Sequence, residues 1–122
     1  MEKRTRGAVE DEFTKAIIKF EKDYLGRGPL DARTFFVNDM ILVRLRGVLT
    51  PAEAKLAEDI EGQRLVKQAR RQLFETSRPI LEALVKDITG CNLISLHSDI
   101  STQSGERIIV LTVDRDLDKV YK

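Results

Sequence analysis

The residues best equipped for chemistry lie at 99–107, Asp-Ile-Ser-Thr-Gln-Ser-Gly-Glu-Arg. The hydroxyls of Ser101 and Thr102, the N–H groups around Gly105 and the Arg107 guanidinium could hold an anion, with Asp99 or Glu106 as a polar partner. The same Asp99, Ser101 and Thr102 could instead close a turn through side-chain-to-backbone bonds. Neither a Walker pattern nor a GxGxxG after a strand is present to single out a nucleotide. Arg44 and Arg46 share one strand face, and Arg33 lies across the hairpin from them. With Arg107 they could form a basic patch for a phosphate, a carboxylate or RNA. Alternatively these arginines pair with carboxylates at a sheet edge or a subunit interface, Glu53 and Glu106 being the candidates. The candidate ligand site is therefore Arg44, Arg46, Asp99, Ser101, Thr102, Gly105, Glu106 and Arg107.

Other chemistries find little support. His97 is the only histidine and Cys91 the only cysteine, so no intramolecular disulfide and no cysteine-based zinc site can form within one chain. His97 has no second histidine at metal spacing, and no GxSxG places a nucleophile for it to activate. Cys91 reads as a small packed residue. Glu58, Asp59 and Glu61 read as a solvated helix end, and Lys67, Arg70 and Arg71 as an ion-paired, exposed helix face, with Glu75 four residues beyond Arg71. The sequence thus predicts no enzyme, no cofactor and no metal.

Charged residues make up 34% of the chain, but 21 basic and 20 acidic side chains leave a net charge of +1. No global field drives nucleic-acid binding. Aromatic interleaving of the kind that stacks single-stranded bases is limited to Phe35 and Phe36. The first residues carry charge but no apolar stretch follows them, so no secretory signal is read, and no apolar run approaches the ~18 residues that span a bilayer. A cytoplasmic protein of one domain, residues 1–122, is expected, with flexible tails at 1–7 and 114–122.

The elements that position these residues follow from periodicity. Phe13, Ala16, Ile17, Phe20 and Tyr24 predict an amphipathic helix over residues 8–25, ended by Gly26. Residues 34–37 and 40–45 predict strands joined by Asn38-Asp39, two residues that tolerate a tight hairpin turn. Thr50, Pro51 and Glu53 form a capping box that starts a helix at Pro51. That helix should bend near Glu61-Gly62 and resume through Ile88 with a kink, not an end, at Pro79. Gly90 closes it. Residues 93–100 and 107–113 predict a second hairpin around the loop, and residues 114–122 a helical turn or a flexible tail. Lys22-Asp23-Tyr24-Leu25-Gly26 resembles Lys86-Asp87-Ile88-Thr89-Gly90, so the chain reads as two helix–hairpin units with the Pro51 helix inserted between them.

The expected architecture is α+β, a two-layer sandwich of order α-β-β-α-α-β-β. It comprises a four-stranded, mostly antiparallel sheet with the helices of residues 8–25 and 51–88 on one face. Residues 40–43 and 108–111 carry apolar side chains on both faces, so the second face needs a cover too. Burying side chains such as Met40, Leu42, Ile109 and Leu111 contributes about 1.5–3 kcal/mol each. A homo-oligomer is expected, most simply a dimer.

Gly47-Val48-Leu49-Thr50-Pro51-Ala52-Glu53, Glu61-Gly62, Thr89-Gly90, Ser98-Asp99-Ile100-Ser101-Thr102 and Gly105-Glu106-Arg107 together resemble the MpsC-like family, formerly a domain of unknown function. The resemblance covers nearly the whole chain after Gly7. It implies a cytosolic accessory or regulatory domain associated with a sodium-translocating, membrane-potential-generating system whose other components are the membrane proteins. The implied location is cytoplasmic, or peripheral to the membrane through such a partner. No catalytic residues come with the resemblance.

Overall fold

The structure is a computed structural model and describes residues 4–121. Helix α1 (Arg6–Tyr24) starts where the Thr5 side chain accepts from the Ala8 N–H at 3.1 Å. Its buried residues Val9, Phe13, Ile17 and Phe20 recur at steps of four, four and three, the spacing of one helix stripe. Strands β1 (Asp31–Val37) and β2 (Met40–Arg46) pair as the expected hairpin. Asn38 takes a φ of 56° at its turn, a conformation that asparagine adopts more readily than most residues.

The predicted capping box begins α2 (Pro51–Leu56). Thr50 accepts from the Glu53 N–H at 3.1 Å, and the Glu53 carboxylate accepts from the Thr50 N–H at 2.9 Å. The long stretch after it is not one kinked helix. It divides into α3 (Ile60–Thr76) and α4 (Arg78–Thr89), and Pro79 sits in the first turn of α4. The expectation of a kink there is corrected. The Ser77 N–H donates to the Leu73 and Phe74 carbonyls and so ends α3. Two positions later proline removes an N–H that a new helix leaves unpaired anyway. The earlier break also falls before the predicted Glu61-Gly62. It lies between α2 and Asp59, whose carboxylate caps α3 at the Gly62 N–H, 2.7 Å away. Gly62 is needed for another reason. A Cβ there would stand 1.5 Å from the Leu56 carbonyl oxygen.

Strands β3 (Leu93–Ile100) and β4 (Arg107–Val113) complete one antiparallel sheet of order β1-β2-β4-β3. Of the two forms expected beyond residue 113, the helical turn is present. Helix α5 (Leu117–Val120) buries Leu117, whose N–H donates to the Asn38 carbonyl at 2.7 Å.

Alternation sorts the sheet into two faces. Ile41, Val43, Leu45, Ile109, Leu111 and Val113 point inward and join Phe13, Ile17, Phe74, Leu81 and Val85 from the helices in one core. Ile109 and Leu111, expected as candidates for the outer face, therefore belong to the core; their neighbours Ile108 and Val110 are the outward pair. Each edge is tended from the helix layer. Glu10 of α1 accepts from the Phe36 N–H at 2.7 Å, and Arg78 of α4 donates to the Ile94 carbonyl at 3.0 Å.

Candidate functional site

The loop at residues 101–106 spends most of its polar groups on itself. The Ser101 N–H donates to the Glu106 carbonyl and the Gly105 N–H to the Ser101 carbonyl, both at 2.8 Å. The Ser101 hydroxyl accepts from the Ser104 N–H at 3.2 Å. Gly105, at φ 73°, brings its carbonyl to the Val48 N–H at 3.1 Å and so docks the loop on the segment before α2. Thr102 lines an open cleft of about 400 Å³ with Gln63, Lys67, Asp99 and Glu106.

Of the eight residues singled out from the sequence, Ser101, Thr102, Gly105 and Glu106 lie in the loop, and the four on strands divide between the two faces of the sheet. Arg44 and Glu106 meet on the outer side, with Nε donating to the carboxylate at 2.6 Å, the pairing anticipated for Glu106. Arg46 is exposed and forms no ion pair among the described residues. Asp99 is exposed, 3.6 Å from the Lys67 ammonium. Arg107 turns the other way. It is 1% exposed on the inner face, and its Nε donates to the Ser98 hydroxyl at 2.9 Å. Its Nη1 donates to Glu21 of α1 at 3.1 Å, and its guanidinium lies 4.7 Å over the Phe74 ring.

Arg107 belongs to a group of four charges, of which Glu21, Arg70 and Arg107 are buried and Glu53 is partly exposed; Arg70, expected on an exposed helix face, turns inward to meet the two carboxylates. Arg70 of α3 donates twice to Glu53, at 2.7 Å each, and once to the Val48 carbonyl at 2.8 Å. Its Nη1 lies 3.8 Å from Glu21 Oε1, and neither of those two atoms has a hydrogen-bond partner. Two arginines and two carboxylates cancel, which is how such groups can persist away from water. The cluster ties α1, α2, α3, β4 and residue 48 together. Burial raises the Glu21 carboxyl above its ordinary range, against the pull of Arg107 and Arg70. Burial likewise lowers the Arg107 guanidinium, opposed by Glu21. Burial pushes Glu53 upward too, but the bonds from Arg70 and from the Thr50 N–H outweigh it and hold that carboxyl low.

Glu21, Arg70 and Lys67 were not singled out from the sequence as parts of a site, although a signal existed for two of them. Glu21 follows Ile17 by four positions, and Arg70 stands between Val66 and Phe74, also at steps of four. A charged residue on an apolar stripe points to a buried partner.

The outer face is built of rows set by the strand register. Val37, Met40, Thr112 and Ser95 form the first; Phe35, Leu42, Val110 and His97 the second; Arg33, Arg44, Ile108 and Asp99 the third. Arg46 and Glu106 flank the third row beyond Arg44 and Ile108. Ser95 and Thr112 share a hydrogen bond, and His97 lies 3.3 Å from the Ser95 hydroxyl. Phe35 is 37% and Val37 40% exposed. The centre of this surface is apolar, and the arginines lie toward one end. Cys91 is buried, and no cluster of three or more histidines, cysteines or carboxylates able to hold a metal occurs among the described residues.

Fold and surface together define a small α+β domain with an open-faced antiparallel sheet and a neutral charge cluster beneath it. The chain belongs to the family described as Na+-translocating membrane potential-generating system (MpsC), whose model matches residues 5–115. It is 41% identical over 117 residues to the uncharacterized protein YbcI of Bacillus subtilis (strain 168), covering 96% of this chain and 94% of that protein. The uncharacterized protein YrhF of the same organism is 32% identical over 110 residues, covering 88% of this chain and 89% of that protein. No solved structure gives a significant match. Among the described residues no helix is long and apolar enough to cross a membrane.

Proposed function

We propose that this chain is a cytosolic accessory or regulatory protein that acts through protein–protein contacts made by the outer face of its sheet. The single observation behind this is the central row Phe35, Leu42, Val110 and His97, with Met40 and Ile108 beside it, which no helix of the described residues covers. A contiguous apolar patch with a polar rim is the usual anatomy of an interaction surface. The family description adds the setting, a system that generates membrane potential, and the chain would sit at the membrane through a partner. The test is site-specific photocrosslinking in the native cell. A photoreactive residue at position 42 or 110 should capture a partner, and one at Arg71 on exposed α3 should not. Capture only from position 71 would contradict the proposal.

Anion binding at residues 99–107 is the second function that an observation favours, namely the cleft beside Thr102. Because Arg107 is buried against Glu21, the cation facing that cleft is Lys67. A thermal-shift screen of nucleotides and other phosphates should then give a stabilisation that Lys67→Ala removes. No shift in the parent chain counts against it.

A further inference from the structure

We infer that the occupant of the outer face is a second copy of this chain, docked about a two-fold axis that runs parallel to the strands. The inference rests on the outer face being an interaction surface and adds what covers it and in which orientation. Sheets stacked face to face align to within about 30° and sit about 10 Å apart. A two-fold axis in the plane between them can run along the strands or across them. Along the strands, and through the gap between β2 and β4, it lays β1 over the partner's β3 and β2 over the partner's β4, with each row facing itself.

The register then decides between the two axes. In the parallel arrangement Arg33 faces the partner's Asp99, because both belong to the third row. Arg46 faces the partner's Glu106, since Leu45 pairs with Arg107 and the next residues outward stand side by side. Leu42 faces the partner's Val110, and Phe35 faces the partner's His97. On this face Arg33, Arg44 and Arg46 occupy the β1–β2 half, with Asp31 at its corner beside Arg46, while Asp99 and Glu106 occupy the β3–β4 half, so one rotation brings Arg33 to Asp99 and Arg46 to Glu106 in both directions. Arg44 meets an apolar side chain under either axis, the partner's Ile108 or the partner's Met40, so the choice falls to Arg33, which the axis across the strands, passing through the second row, sets over the partner's Val37 in place of Asp99. That leaves its charge against an apolar side chain, which is costly. Arg33 and Arg46 form no ion pair within the chain among the described residues, while Arg33 lies 5.2 Å over the Phe35 ring. They are available to a partner.

Four strands about 4.8 Å apart and three rows about 7 Å apart give a plan area of roughly 400 Å². That is about half the ~800 Å² per partner of a standard interface, before side-chain relief is counted. The pair should therefore dissociate on dilution, and sedimentation must be followed over concentration.

Sedimentation equilibrium of the full chain tests this with charge exchange. Arg33→Asp and Asp99→Arg should each weaken the dimer at least tenfold, and the double variant, which restores opposite charges across the axis, should regain most of the loss. Melting curves confirm that the variants are folded, as these exposed positions allow. A parent chain that stays monomeric at millimolar concentration overturns the inference. A dimer broken by Val110→Asp but indifferent to the charge exchange overturns the orientation, and so the inference as stated. Either failure leaves the outer face open to a different partner, which crosslinking at position 42 or 110 reads independently.

Discussion

Glu21 on the first helix and Arg107 on the fourth strand, 86 residues apart in sequence, meet at 3.1 Å in the interior, each at most 1% exposed. Removing one member strands the other charge away from water, at a cost of about 3–5 kcal/mol. Glu21→Ala should lose stability on that scale in urea unfolding. Glu21→Leu combined with Arg107→Met should lose distinctly less than the two single changes added together. Strict additivity would mean that the pair is not coupled.

Acid should act on the cluster through two carboxylates with opposite signs. The folded-state pKa of Glu53 lies below its ordinary 4.5, so its contribution is present above that value and lost as pH falls through the folded one. The folded-state pKa of Glu21 lies above 4.5, so the folded chain takes up its proton first and that group favours folding as pH falls. Unfolding free energies between pH 3 and 7 should therefore decline less steeply in Glu53→Gln than in the parent. In Glu21→Gln they should decline more steeply.

Pro79 distinguishes a broken helix from a bent one. Inside a continuous helix, replacing it with alanine would restore a hydrogen bond and stabilise by about 3 kcal/mol. In the first turn of α4, where its missing N–H costs nothing, Pro79→Ala should change stability by no more than about 1 kcal/mol. Chemical denaturation separates the two.

At Gly62 the neighbour is backbone, and backbone cannot swing aside. Gly62→Ala should cost about 3 kcal/mol by forcing α3 away from the Leu56 carbonyl. An unchanged melting temperature would contradict the observed joint between α2 and α3.

The elements were legible where local chemistry fixes them. Thr50-Pro51-Ala52-Glu53 is a complete capping box, and Asn38-Asp39 is a two-residue turn between strands of opposite direction. The break at Ser77 was not, because the apolar residues on its two sides keep in phase and conceal a one-residue interruption. The faces of β4 were also hidden. Residues 108–111 are all apolar, so alternation has nothing to read, and only pairing with β2 assigns Ile109 and Leu111 inward. The candidate site was legible in part. Arg44 and Glu106 meet as the charges suggest. Arg107 goes inward because its partner, Glu21, lies on α1, a contact that exists only after the chain has folded.

Met40 lies in the first row of the outer face, half-buried by its own sheet and open on the side toward a partner. Its thioether oxidises when peroxide reaches it. Comparing the rate of Met40 sulfoxide formation in dilute purified protein with the rate in native cells, normalised to a surface methionine introduced at Arg71, asks directly whether that face is covered. A rate at least severalfold slower in the cell is the predicted result, and equal normalised rates would contradict the claim that the outer face is an interaction surface.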